Sequence, residues 1–595
     1  MTSPTAHPDP HTPPRAVEVK IDLFAPVRSR IVLIVVLNLL AGIATVVPFI
    51  AVVELARVLL PALSSAPVDG GLAWMVVIVA SVSLIVRFAL LMAAGLVSHL
   101  ADNDLQLEIR TRLVEHLRQL PLGWFDSSAS GGVKKAVEND VNALHQLIAH
   151  SIQDVVLAVT LPVVSLVYLF AIDWRMALAT LVPLVLVLAI FPVMMRGSKE
   201  RYVEYDASLG RLTNAVIEFI HGIAVVKSFG QTGRSHQRYR DETRAFTRFY
   251  GDWMRSSSLP QTLIDLVTAP LVILVYLTGV GAILVTAGSL TPVDLLPALL
   301  LGLGIAAPYL QLGYTSQYLR EAFNARDAIV ALLSTPAMVY PDVPEYPEGN
   351  QVVLDRVGFS YDGDHDVLTD IVARCAPGTV TALVGPSGSG KSTLARLVPR
   401  FYDVTGGALH IGGQDVRQLA AETLYGQVGF VFQDPYLLRT TIRDNIRLAR
   451  PDAENTEVER VAKAAQIHDR ILALPKGYES VIGDDANLSG GEQQRLAIAR
   501  GLLTDAPILV LDEATAFADP DSEAAIQQAL SELAVGRTVI VIAHRLHTIT
   551  NVDQLLVLDK GRIVESGTHA ELKRAGGLYQ SLWETYENAR KVARP

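Results

Sequence analysis

One cysteine, Cys375, is all that 595 residues contain. With no second thiol in the chain an internal disulfide is excluded, which fits a domain in a reducing compartment, and Cys375 reads as a small buried residue rather than a reactive one. Charge is also scarce: 18% of residues are Asp, Glu, Lys or Arg, against roughly a quarter in ordinary soluble domains. No basic patch with interleaved aromatics occurs, and the net charge of -10 argues against a nucleic-acid partner. The first 15 residues are rich in Pro, His and Thr and lack the apolar core of a secretion signal. They read as part of a disordered tail, residues 1–20.

What is present is unevenly spread. Long apolar runs dominate up to about residue 330; beyond it the Gly, Asp and Glu content is that of a soluble α/β domain. The mean hydropathy of +0.33 therefore averages two unlike halves. The expected fold is an α-helical six-span transmembrane domain over residues 21–335, a linker over 336–350, and an α/β P-loop NTPase domain over 351–595.

A bilayer takes about 20 helical residues to cross. Six segments meet that demand, near residues 31–60, 72–100, 147–172, 176–195, 259–288 and 295–319. The long connections after the second and fourth carry Arg110, Arg112, Arg118, Lys134 and Lys135, then a run of basic residues from Arg196 to Arg255. The short connections carry almost none beyond Arg175. Positive charge stays inside, so the long connections, both termini and the NTPase domain are expected on the cytoplasmic side of the inner membrane, with lipid around the spans. Six buried helices of a large soluble protein would not need this charge bias. Ionisable groups within the spans are few and include Glu54, Arg87 and Asp265, with Asn38, Gln261, Tyr309, Gln311 and Tyr314 as polar company. Charges in hydrocarbon are costly, so these face a cavity or a partner helix, and Arg87 is expected to pair with Glu54.

The second half carries the chemistry. Gly385-Pro386-Ser387-Gly388-Ser389-Gly390-Lys391-Ser392-Thr393 matches G-x-x-x-x-G-K-[ST], between a β-rich run, Val380–Val384, and a helical pattern. The glycines let the backbone aim successive N–H groups at a polyphosphate; Lys391 reaches the β/γ-phosphates and Ser392 the Mg²⁺. Alone the motif recurs by chance, but here Leu488-Ser489-Gly490-Gly491-Glu492, Ile508–Asp512 with Glu513, and His544 follow in order. Tyr361 ends an early strand pattern, where it can stack on adenine or merely pack. Gln433 ends a β-rich run and can ligate Mg²⁺ or the attacking water. In Asp512-Glu513 a strand stops at two acids that alternation sends different ways: Asp512 suits the Mg²⁺ shell, Glu513 the water attacking the γ-phosphate. His544, at another strand end, suits the γ-phosphate. Ser489, Gly490 and Gly491 begin a helix far along the domain from Lys391, which makes sense if they cap ATP held by a second copy.

These motifs resemble those of ATP-binding cassette half-transporters with the six-span exporter-type fold, over about residues 20–585. The resemblance implies ATP and Mg²⁺ as cofactors, Tyr361 as the adenine-stacking aromatic, Gln433 as the Q-loop, Glu513 as catalytic base, Asp519 as the D-loop acid and His544 as the switch histidine. It also implies that turns of the cytoplasmic helices dock on the ATPase. Where the family commonly has Ala-Thr-Ser-Ala-Leu-Asp after the glutamate, this chain has Ala514-Thr515-Ala516-Phe517-Ala518-Asp519, and later His544-Arg545-Leu546-His547-Thr548-Ile549. That variant resembles the subgroup importing ferric siderophores, as in mycobactin and yersiniabactin uptake. Members usually pair two different half-transporters, so a heterodimer is favoured over a homodimer. Export of a drug, lipid or peptide is the alternative; a non-transporting regulatory ATPase is a third reading that six spans disfavour.

Overall fold

A computed structural model describes residues 21–60, 67–127, 130–228, 232–305, 307–512, 520–543 and 546–592. It divides into two compact units. The first comprises residues 1–115 and 131–335; the second comprises 116–130 and 336–595.

Among its described residues the first unit forms only helices. Among the described residues four helices are long and apolar enough to cross a membrane: Ala25–Leu59, Gly70–Leu117, Gly131–Ile172 and Trp174–Met194. Two run well past the hydrocarbon, at 48 and 42 residues. The fifth expected span, 259–288, is not one rod. Helices Gln237–Thr268 and Pro270–Thr286 meet at a bend of 53°, because Pro270 has no N–H to donate into the preceding turn and forces Ala269 out of helical geometry, at ψ 124°. The sixth, 295–319, falls on Pro292–Ile305 and Ala307–Leu333, the first too short to span alone.

The intramembrane charges pair differently from expectation. Arg87 does not meet Glu54; its Nε donates to Thr45 Oγ1 at 2.9 Å. Glu54 accepts instead from Arg57, three residues on and one turn away, at 2.8 Å, and Arg57 also reaches Asp294 at 2.8 Å. The nearer cation wins because one helical turn fixes the geometry at little entropic cost. Asn38, fully buried, donates to the Ile34 carbonyl at 2.9 Å, and Asp265 accepts from Gln261 at 2.8 Å. The side chains of Tyr309, Gln311 and Tyr314 lie outside the described residues.

The second unit holds two sheets. β1 (Val352–Ser360), β2 (Asp366–Cys375), β4 (Gly406–Ile411) and β5 (Gln414–Asp415) form an antiparallel sheet in the order β2-β1-β4-β5. β3 (Val380–Val384), β6 (Val428–Val431), β7 (Ile508–Asp512), β8 (Thr538–Ile542), β9 (Gln554–Asp559) and β10 (Arg562–Gly567) form the other, ordered β10-β9-β3-β8-β7-β6. All its neighbours are parallel except β9 and β10. Parallel strands buried on both faces read as unbroken apolar runs, and every residue of β7 is buried. One hydrophobic core draws on both sheets and includes Cys375, 1% exposed at the end of β2, where burial pushes its thiol pKa up. Residues 116–130, although continuous in sequence with the helices of the first unit, belong to this one. There Gly123 N–H donates to the Phe401 carbonyl at 3.0 Å, and the Tyr402 hydroxyl donates to the Gly123 carbonyl at 2.8 Å.

Candidate nucleotide-binding site

Ligands of open α/β sheets bind beyond the carboxyl ends of the parallel strands. Leu383 and Asp512 both align with Ile542, so the phosphate loop after β3 and the carboxylate ending β7 stand at that same edge. The loop is held open by backbone geometry. Gly385, Gly388 and Gly390 have φ of 150°, 78° and 98°, values that L side chains rarely adopt. A Cβ on Gly385 would lie 2.1 Å from the Leu558 carbonyl oxygen, and one on Gly390 2.7 Å from Leu368 Cδ2. Only glycine lets the loop pass this close to its neighbours.

Lys391 opens the helix Lys391–Leu397 and is 6% exposed. Its ammonium donates to the carbonyls of Gly385 and Pro386 at 2.9 and 2.8 Å, so the charge sits inside the loop it would serve. Ser389 is 3% exposed, and among the described residues its hydroxyl finds no hydrogen-bond partner. Ser387 and Ser392 are exposed, and Thr393 is buried with its Oγ1 3.0 Å from the Tyr361 hydroxyl. Tyr361 packs edge-on to Phe359 at 4.8 Å and to Tyr402 at 5.2 Å, and is half exposed. The turn after it is pinned by Asp362, which accepts from the backbone N–H of Asp364 and His365 at 3.0 and 2.9 Å. The His365 side chain and these N–H groups hold the Asp362 carboxyl well below the usual carboxylate range.

Gln433 follows β6 by two residues and is half-buried; Phe432 before it stacks on Phe401 at 5.8 Å. Asp512 is 4% exposed. The oxygen donors of Ser392, Gln433 and Asp512 are the hard ligands that Mg²⁺ accepts, and a buried carboxylate at a strand end is suited to a cation's charge. The set fits Mg²⁺.

Ser489 caps the helix Gly490–Thr504 through a reciprocal box, its hydroxyl accepting from Glu492 N–H at 3.3 Å while Glu492 accepts from Ser489 N–H at 2.8 Å. Arg470 then pairs with Glu492 at 2.7 Å. Glu513, Asp519 and His544 lie outside the described residues.

Sequence spacing gave no sign of one cluster in the first unit. His99, His145 and His150 stand with ring centroids 5.3 to 5.6 Å apart, and His145 Nδ1 lies 2.6 Å from Asp102, itself 1% exposed. Two π-helical turns, Lys135–Asp140 and Gln146–Ser151, interrupt the helix carrying His145 and His150. Among the described residues no group of three or more His, Cys, Asp or Glu is arranged to hold a metal ion.

Two family models match the sequence: one described as ABC transporter, over residues 368–516, and one described as ABC transporter transmembrane region, over residues 31–305. The chain is 44% identical over 565 residues to the mycobactin import ATP-binding/permease protein IrtA of Mycolicibacterium smegmatis, covering 95% of this chain and 65% of that protein. It thus spans less than two thirds of that relative's length. It is 35% identical over 502 residues to an ATP-dependent lipid A-core flippase of Cupriavidus metallidurans, covering 82% of this chain and 83% of the flippase. Among solved structures, a bacterial Atm1-family ABC exporter with ATP bound matches with a TM-score of 0.73 and 29% identity, covering 94% of this chain and 98% of that one.

Proposed function

The chain belongs to the ABC transporter family, and from that premise we propose that it is one half of an ATP-driven importer of ferric siderophores. The supporting observation for the cargo is the 44% identity, over 95% of this chain, to a protein named for mycobactin import. The chain works as a dimer in the cytoplasmic membrane, with both termini inside, and a related but different half-transporter is the favoured partner over a second copy.

The phosphates of ATP lie along the loop Gly385–Thr393, with the ammonium of Lys391 turned from the Gly385 and Pro386 carbonyls toward the β/γ-phosphates and Tyr361 stacked on adenine. Ser392, Gln433 and Asp512 would hold Mg²⁺, which would supply positive charge against the phosphates. Glu513 accepts a proton from the attacking water, and His544 contacts the γ-phosphate. Ser489, Gly490 and Gly491 close over the nucleotide of the partner subunit, beside Asp519, so each catalytic chamber is shared. ATP favours the closed pair and hydrolysis restores the open one, a shift between two states set by their different affinities for nucleotide.

A second reading, export, is favoured by the flippase and the Atm1-family exporter, both of which match over most of their length. Uptake of iron-loaded siderophore into right-side-out and inverted vesicles, each supplied with ATP on the cytoplasmic face, separates the two. Accumulation in right-side-out vesicles that stops with Glu513→Gln supports import; accumulation only in inverted vesicles overturns it.

A further inference from the structure

Helix Leu578–Val592 is tied into the core of the second unit. Helix Leu578–Val592 presents Leu578, Tyr579, Leu582, Trp583 and Tyr586 along one face. Its start is fixed by Glu565 of β10, whose carboxylate accepts from the backbone N–H groups of Leu578 and Tyr579. Tyr579 is fully buried and Trp583 7% exposed. They share a core with Val384, the last residue before the phosphate loop, and with Ala543, Leu546 and Ile549. Near the other end, the Tyr586 hydroxyl lies 2.6 Å from His547 Nδ1, and the two rings are stacked with centroids 5.8 Å apart and planes at 11°. His547 is one of the residues that set this chain's His544–Ile549 run apart, and none of the steps described so far uses it.

We propose that Tyr586 is a positioning residue for ATP hydrolysis, acting through His547 on the segment that carries His544. Ala543, 9% exposed, anchors the chain immediately before His544, and the His547–Tyr586 pair anchors it three residues after. A rearrangement of the terminal helix then changes the presentation of His544 to the γ-phosphate without touching the nucleotide. This rests on the reading of His544 as a γ-phosphate contact.

The test uses the full-length transporter with its partner subunit in lipid nanodiscs. Steady-state ATPase and equilibrium ATP binding are measured for wild type, Tyr586→Phe, His547→Ala, the double variant, and His544→Ala. Tyr586→Phe keeps the packed ring and removes only the hydroxyl, so the helix stays in place. It lowers kcat about three- to tenfold, the span of one neutral hydrogen bond, with KM and ATP affinity within about twofold of wild type. The double variant is no slower than the slower single variant, because the two residues act as one unit. A purely structural role would lower the melting temperature and leave kcat alone. Wild-type kcat in Tyr586→Phe beside an inactive His544→Ala overturns the pair only, as do losses that multiply in the double variant. Wild-type kcat in His544→Ala overturns the reading of His544 and the pair with it.

Discussion

Tyr402 donates its hydroxyl proton to the carbonyl of Gly123 at 2.8 Å, while its ring lies 5.2 Å from that of Tyr361. One side chain therefore touches both the 116–130 segment and the aromatic residue beside the phosphate loop. The approach is close: a Cβ on Gly123 would sit 1.9 Å from Tyr402 Cζ. Gly123→Ala must displace that ring, and forced overpacking of this kind typically costs about 1–3 kcal/mol. The expected outcome is retained ATPase with fewer substrate molecules moved per ATP, and a milder loss in Tyr402→Phe. Flux and phosphate release measured on the same proteoliposomes check it; unchanged coupling in Gly123→Ala would show that the Gly123–Tyr402 contact has no part in coupling.

Lys391→Ala is expected to weaken ATP binding at this chain's site by about 10- to 100-fold, the worth of one or two charge-assisted hydrogen bonds. Titration with labelled nucleotide, in a dimer whose partner site is blocked, reads it directly.

Glu513→Gln is expected to leave ATP affinity within about twofold and to lower turnover by about 10²- to 10⁴-fold, the usual contribution of a general base. Hydrolysis near the wild-type rate, with the partner's own glutamate also replaced, would assign the base elsewhere.

Burial, with the Lys573 ammonium nearby, holds the His569 imidazole below its ordinary pKa. The folded state thus prefers neutral His569, and the unfolded chain takes up the proton first as pH falls. The stabilisation is whole above the unfolded value, near pH 6.5, and declines as pH drops toward the folded value. Between about pH 7.5 and 5.5 the wild-type ATPase domain should lose more in melting temperature than a His569→Asn variant. An equal loss in both would clear His569 of any part in acid sensitivity.

Much of the second unit was legible because its signals are local. Val380–Val384 is a β-rich run closed by a glycine and Ile508–Asp512 an apolar run closed by acids, and both appear as strands with those bounds. The loop between β3 and Lys391 needed only its glycines. What failed to show in sequence depends on distance. Arg87 has Thr45 as its partner rather than Glu54, because which helix faces turn together is decided by packing across 42 residues. The 53° bend at Ala269 lies in a stretch long and apolar enough to read as one span, so hydropathy alone draws it straight. The three clustered histidines, His99, His145 and His150, are drawn from two helices, 46 and 5 residues apart in sequence, and no periodic pattern joins them.

The inward-facing thiol at the end of β2 leaves the native chain with no accessible sulfhydryl of its own. Spin labels or fluorophores attached through cysteines introduced into this chain will report from the chosen positions along it, without first rebuilding the protein around a removed residue.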